Sequence, residues 1–254
     1  PAPYYNKAFY ESCDALLGIS KQTVNINKLV LDDKAKNKII EYVPHGLNNE
    51  VFYPIQNKEQ DKEFTEFKKQ LFKGKEYEFV AFFNSRNIRR KQVPDTILAF
   101  SQFVQQLPKE KADKCALVLH TEIVSEHGTD LSAVIETLVP KDVNIIFTPG
   151  RLEPKAMNYL YNLSDVQMLL TSNEGWGLSL TEALLTATPI IANVTGGMQD
   201  QMRFEFEDGT WIDFDADFPS NHRGTIKKHG EWAFPVYPTS RSIVGSPPTP
   251  YIYD

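Results

Sequence analysis

The sequence predicts an α/β protein built on a doubly wound parallel sheet. Between residues 14 and 193, short runs that are apolar at consecutive positions alternate with amphipathic segments of helical spacing. A strand apolar at every position needs cover on both faces, and intervening helices supply it. After about residue 203 the pattern stops, and phenylalanine, tryptophan, aspartate and proline accumulate without helical period, which predicts irregular structure or a short hairpin.

The elements follow in order. Tyr10-Glu-Ser-Cys-Asp14-Ala-Leu-Leu-Gly-Ile-Ser20 reads as a helix, a strand, and then Ser20 capping a helix to about Leu31. Such a unit cannot close its own core, so residues 1–44 are expected to be the end of a preceding domain and the start of a linker. Val43-Pro-His-Gly46-Leu-Asn-Asn-Glu-Val-Phe52-Tyr-Pro54 is turn-rich, with His45 read as a turn residue. The apolar runs are Ala15–Ile19, Ile39–Val43, Phe79–Phe83, Cys115–Leu119, Val143–Phe147, Val166–Leu170 and Pro189–Ala192. Helical stripes are formed by Phe64, Phe67, Leu71 and Phe72, by Ile97, Phe100, Val104 and Leu107, and by Leu131, Val134, Ile135 and Leu138. Residues 45–202 form the expected ligand-binding domain, and residues 203–254 an insert leading into a truncated C-terminal part.

The formal net charge of −6 argues against a surface that embraces nucleic acid overall. No apolar run approaches a membrane span, and the start has no signal-peptide pattern. Cys13 and Cys115 have no cysteine or histidine companion at metal-site spacing; Cys115, opening an apolar strand, reads as a buried small hydrophobe. The expected compartment is reducing and cytoplasmic.

The most informative segment is Glu174-Gly-Trp-Gly-Leu-Ser-Leu-Thr-Glu182. It sets one acid before a Gly-x-Gly turn and the other two turns into the helix that the turn opens. Backbone N–H groups between them favour an anion. A ligand with phosphate in the middle and hydroxyls on both sides, such as a nucleotide sugar, fits this pattern. The segment continues as Ala183-Leu-Leu-Thr-Ala-Thr188-Pro189-Ile-Ile-Ala-Asn-Val-Thr-Gly196-Gly197.

In this it resembles the donor-site signature of retaining glycosyltransferases of the GT-B fold, family 4, or glycosyl transferases group 1. The resemblance extends over roughly residues 14 to 202. It implies the Rossmann-like C-terminal domain of a GT-B enzyme, which transfers sugar from a nucleotide-diphosphate donor to an acceptor hydroxyl with retention of configuration. It assigns Glu182 to the ribose hydroxyls and Glu174 to the donor sugar, with Gly175, Trp176, Gly177 and Leu178 around the phosphates. The base is expected against Gly150, Arg151 and Leu152. The residues alone also allow plainer roles: Glu182 complementing a helix dipole and Glu174 capping the helix. The apolar neighbours of Glu182 favour a carboxylate turned toward a polar pocket.

Asn84-Ser-Arg86-Asn-Ile-Arg-Arg-Lys91-Gln places four cations directly after an apolar strand, where doubly wound sheets bind ligands. A solvated basic loop is the plain alternative. Arg86 and Lys91 match the family's Arg-x4-Lys pair, which the resemblance assigns to the leaving diphosphate, while Arg89 and Arg90 are expected to face solvent or assist electrostatically. His120, at a strand exit, lines the same edge without an assigned role, and Gly196-Gly197 fits either the motif or a plain turn. Asp213-Phe-Asp215-Ala-Asp217 has carboxylates at alternate positions, but Phe218 and Gly224 stand where an EF-hand loop starting at Asp213 needs Gly and Glu. No metal and no cofactor beyond the donor substrate are expected.

The acceptor, whether sugar, lipid, protein or modified nucleic acid, is expected to bind mainly to a preceding domain, so residues 1–254 alone are expected to be inactive. Two other classes stand beside the enzyme: a module that holds a nucleotide sugar without transferring it, and an interaction protein using its aromatic, proline-rich insert.

Overall fold

The computed structural model describes residues 6–212, 228–237, 242–246 and 249–253, the last two segments as backbone strands. The chain forms two compact units. One holds residues 1–46, 172–178 and 193–254, and the other residues 47–171 and 179–192.

In the first unit, α1 (Lys7–Ser12) leads to β1 (Ala15–Gly18), α2 (Lys21–Leu31) and β2 (Ile39–Tyr42). Strands β1 and β2 pair in parallel from Ala15↔Ile39 to Gly18↔Tyr42. The Ser20 hydroxyl accepts from the Thr23 amide at 3.1 Å, which satisfies an orphan donor of the first turn and starts α2 where the sequence places it. Val24, Val30 and Leu31 form its buried face.

The second unit carries the main sheet. After α3 (Lys62–Leu71) come β3 (Phe79–Asn84), α4 (Val93–Gln105), α5 (Lys109–Ala112), β4 (Cys115–His120), α6 (Leu131–Leu138), β5 (Asn144–Phe147), α7 (Pro154–Leu163) and β6 (Val166–Leu169). Helix α8 (Leu178–Leu185) and β7 (Ile190–Asn193) follow. The order runs β5-β4-β3-β6-β7, with every pairing parallel. The chain builds outward from β3 through β4 to β5, then returns to place β6 on the other side of β3. The doubly wound expectation is met, and the switch point lies between β3 and β6. Val80–Phe83 and Cys115–Leu119 are buried at every position, as strands covered on both faces must be.

The helices obey local chemistry. Asp61 and Asp130 cap α3 and α6 by accepting from Phe64 at 3.0 Å and Ala133 at 3.1 Å. Pro94 and Pro154 occupy the first turns of α4 and α7, where a missing N–H costs nothing. The helical stripes hold less completely at their ends. Leu107 lies past the end of α4, and Leu138, the last residue of α6, is exposed.

The segment after residue 46 is tied down by α7. Buried Asn162 accepts from the Ile55 amide at 2.8 Å and donates to the Tyr53 carbonyl at 3.0 Å, and Asn158 accepts from the Tyr53 amide at 3.1 Å.

The first unit resumes with α9 (Gly196–Met202) and β8 (Ala233–Val236), where Val194 donates to the Val236 carbonyl at 3.0 Å. β9 (Ser242–Ser246) and β10 (Thr249–Tyr253) pair antiparallel, in the region where the sequence allowed irregular structure or a short hairpin. The Asp213–Asp217 triplet lies outside the described residues. Among the described residues no helix is long and apolar enough to cross a membrane.

Candidate functional site

The carboxyl ends of β3, β4 and β5 carry the predicted cationic loop and its neighbours. From Asn84 the chain turns through Arg86 and Asn87 into a single 3-10 turn over Arg89–Lys91. The loop is held from beneath. Buried Asn87 donates to the carbonyls of Thr129 at 2.6 Å and Glu122 at 3.1 Å and accepts from the Thr129 amide at 3.1 Å. The Thr171 hydroxyl donates to the Arg90 carbonyl at 3.0 Å. Arg86 is exposed and its side chain makes no ion pair or hydrogen bond with the described residues, while Lys91 is half-buried. Arg89 is exposed, but Arg90 is half-buried rather than turned fully to water.

Beside this loop, His120 Nδ1 lies 2.6 Å from the Thr148 hydroxyl, which joins the ends of β4 and β5. Burial pushes the imidazole pKa down and favours its neutral form. Gly150 turns the chain with φ +34, and Gly150 and Arg151 are exposed while Leu152 is half-buried.

Glu182 is the fifth residue of α8 and is half-buried. Oε2 accepts from Tyr161 Oη at 2.5 Å and from Asn84 Nδ2 at 3.2 Å, and the same Nδ2 donates to Tyr161 Oη at 2.8 Å. Burial raises the Glu182 pKa above the usual carboxylate value; the two donors oppose burial without overcoming it. Sequence reasoning misses Tyr161 and the Asn84 side chain. Its one usable signal was the position of Asn84 at a strand exit; nothing marked Tyr161, on a helix opened only by Pro154.

Glu174, Gly175, Trp176, Gly177 and Leu178 belong to the first unit. Here the motif loop lies on the start of α9. Gly196 has φ +50, and a β-carbon there would stand 1.8 Å from the Glu174 carbonyl oxygen. Gly197 donates to the Gly175 carbonyl at 3.2 Å, and Gln201 Nε2 donates to the Trp176 carbonyl at 2.7 Å. Gly196-Gly197 is therefore a close-packed seat for the loop as well as a strand-to-helix turn. The Trp176 side chain is buried, Glu174 is half-buried, and Leu178 is exposed. Gly177 has φ +89, a conformation that favours glycine, immediately before α8 starts.

Among the described residues no three His, Cys, Asp or Glu side chains cluster as a metal site.

The architecture and this motif define a parallel-sheet α/β protein of the GT-B kind. The chain belongs to the glycosyl transferases group 1 family, whose model matches residues 63–218, more than half of its length. Among solved structures it is similar to sucrose-phosphate synthase from Thermosynechococcus elongatus, at 21% identity and TM-score 0.58, covering 78% of this chain and 45% of that one. It is also similar to an α,α-trehalose-phosphate synthase (UDP-forming) from Burkholderia vietnamiensis, at 9% identity and TM-score 0.59, covering 77% and 48%. The C-terminal domain of LpcC, a glycosyl transferase group 1 family protein from Francisella tularensis, matches at 20% identity and TM-score 0.50, covering 66% and 80%. These likenesses show the fold. The chain spans about half the length of the two synthases. No curated protein sequence matches it.

Proposed function

We propose that residues 1–254 are the nucleotide-sugar-binding part of a retaining GT-B glycosyltransferase of family 4, with the acceptor held mainly by a further domain. One observation carries the reading. Asn84 both begins the cationic loop at the switch point and hydrogen-bonds the half-buried Glu182 carboxylate. A charge suited to phosphate and an acceptor suited to sugar hydroxyls thus meet at one strand exit, where doubly wound sheets bind nucleotides.

In this reading Arg86 and Lys91 neutralise the diphosphate, Glu182 accepts from the ribose, and the N–H groups that open α8 after Gly177 meet the phosphates. Glu174 orients the donor sugar. Trp176, buried, acts through the loop backbone it anchors, with Gly175 and Leu178 beside it; Gly150, Arg151 and Leu152 border the base. The acceptor oxygen bonds to the anomeric carbon on the face from which the phosphate oxygen departs, and its proton passes to that leaving phosphate. Fixed cations and a helix N-terminus supply the electrostatic work, so the proposed mechanism uses no metal. Residence in the cytoplasm is part of the proposal and rests on there being only two cysteines, one exposed and one buried.

The test is transfer itself. Residues 1–254 should bind donor without turnover, with or without Mg²⁺ or Mn²⁺, while the chain joined to its acceptor domain should transfer sugar in EDTA and give product of the donor's anomeric configuration. Metal-dependent or inverting transfer would overturn the reading.

A further inference from the structure

Tyr161 is completely buried, and its position is fixed on two sides: its ring packs edge-on against Phe82 at 5.0 Å and Phe52 at 5.8 Å. Its hydroxyl is therefore delivered to one place. There it donates to Glu182 Oε2 and accepts from Asn84 Nδ2, which itself reaches the same carboxylate oxygen. A carboxylate oxygen offers about two lone-pair sites, so two converging donors fill Oε2. Oε1 takes no hydrogen bond from the described residues.

We propose that Tyr161 and Asn84 are positioning residues that fix Oε2 of Glu182, leaving Oε1 as the oxygen that accepts from a nucleotide's ribose hydroxyls. The proposal rests on the donor-site reading of Glu182 given above. The arrangement solves a definite problem. A carboxylate near the core tends to take up a proton, and a protonated acid is a poorer acceptor for a hydroxyl; two neutral donors hold the ionised form and its orientation without adding a cation that would compete for it. Among the described residues, the groups that hydrogen-bond the Glu182 carboxylate are the Tyr161 phenol on α7 and the Asn84 amide at the end of β3. Burial, and the neighbouring carboxylate after it, push the phenol's pKa well above its ordinary value, so Tyr161 remains a donor throughout the working pH range.

Two measurements on residues 1–254 test this with Tyr161→Phe and Asn84→Ala. The first needs no ligand: carboxyl NMR titration of Glu182. Its midpoint should rise by about 1 pH unit in each variant, the size expected for a lost donor to a charged group; an unchanged or lowered midpoint overturns the proposal. The second is calorimetry with UDP, GDP and ADP and their 2′,3′-dideoxy counterparts from pH 5 to 9. Tyr161→Phe should weaken the ribonucleotide that binds roughly tenfold and its dideoxy form less than about twofold. Its affinity should also fall away at a higher pH than in wild type, because a carboxylate with a raised pKa loses its charge sooner as pH drops. Equal losses for both sugar forms overturn the positioning role alone. Wild-type protein that binds none of the three, or binds ribo and dideoxy forms alike, overturns the ribose reading of Glu182 and this proposal with it. Should Tyr161→Phe fail to fold, Asn84→Ala, at the half-buried strand end, carries both measurements.

Discussion

The α-carbon of Gly196 lies so close to the Glu174 carbonyl that a side chain of any kind would enter its oxygen, at 1.8 Å for the first added carbon. Gly197 repeats the relationship one residue on, with an added β-carbon 2.5 Å from the Gly175 carbonyl oxygen. The first turn of α9 is thus a glycine seat on which the Glu174–Gly177 backbone rests.

Gly196→Ala should therefore cost about 2–4 kcal/mol of stability, combining strain at positive φ with a backbone collision. Gly74 is the control: it has φ +77, and an added β-carbon there meets nothing within 4 Å. Gly74→Ala should cost only about 1 kcal/mol. Urea denaturation of both variants gives the comparison, and equal losses would mean that close approach at Gly196 contributes nothing.

Glu182→Gln should separate stability from binding. Because burial raises the folded-state pKa of Glu182, the folded chain binds the proton more tightly than the unfolded chain. Its contribution is fully present below the unfolded carboxylate value and is lost as pH rises through the raised value. At neutral pH the free protein carries a desolvated charge, so Glu182→Gln should raise its melting temperature there and flatten the pH dependence just above the normal carboxylate range. The same variant should weaken nucleotide binding by roughly 1.5–3 kcal/mol. A variant with lowered stability at pH 7 and full affinity would contradict both halves.

The fold was legible because burial on both faces leaves a plain mark. Val80–Phe83 and Cys115–Leu119 are uninterrupted apolar runs, and each of the seven expected runs overlaps one strand, β1 to β7. The motif glutamates and the cationic loop were legible as spacing. The supporting shell was not. Tyr161 reads as one more aromatic in Met-Asn-Tyr-Leu-Tyr-Asn-Leu, and only the tertiary structure brings its hydroxyl to a carboxylate 21 residues away. Asn158 and Asn162 hold the backbone of residues 53–55 over a separation of more than 100 residues, a pairing for which local sequence carries no signal.

Arg86→Ala and Lys91→Ala should each weaken a nucleoside diphosphate by roughly tenfold or more, and the free nucleoside hardly at all, since a cation addresses phosphate charge. Arg89→Ala should matter less. Fluorescence or calorimetric titration with both ligands checks this, and equal losses for the two, or a dominant effect of Arg89, would refute the assignment.

Asn162→Ala should cost about 2 kcal/mol, because it leaves the Ile55 amide and the Tyr53 carbonyl without their side-chain partner. Faster proteolysis after residue 46 should accompany the loss. Unchanged stability and cleavage would show that α7 does not hold this segment.

The most direct measurement is a calorimetric titration of residues 1–254 with UDP-glucose, GDP-mannose and ADP-glucose, alongside Glu182→Ala and Arg86→Ala, in EDTA. The donor-site account predicts saturable binding of at least one nucleotide sugar with no metal present, weakened by roughly tenfold or more in each variant. Absence of binding to all three in folded wild-type protein, or binding that neither substitution changes, would contradict it.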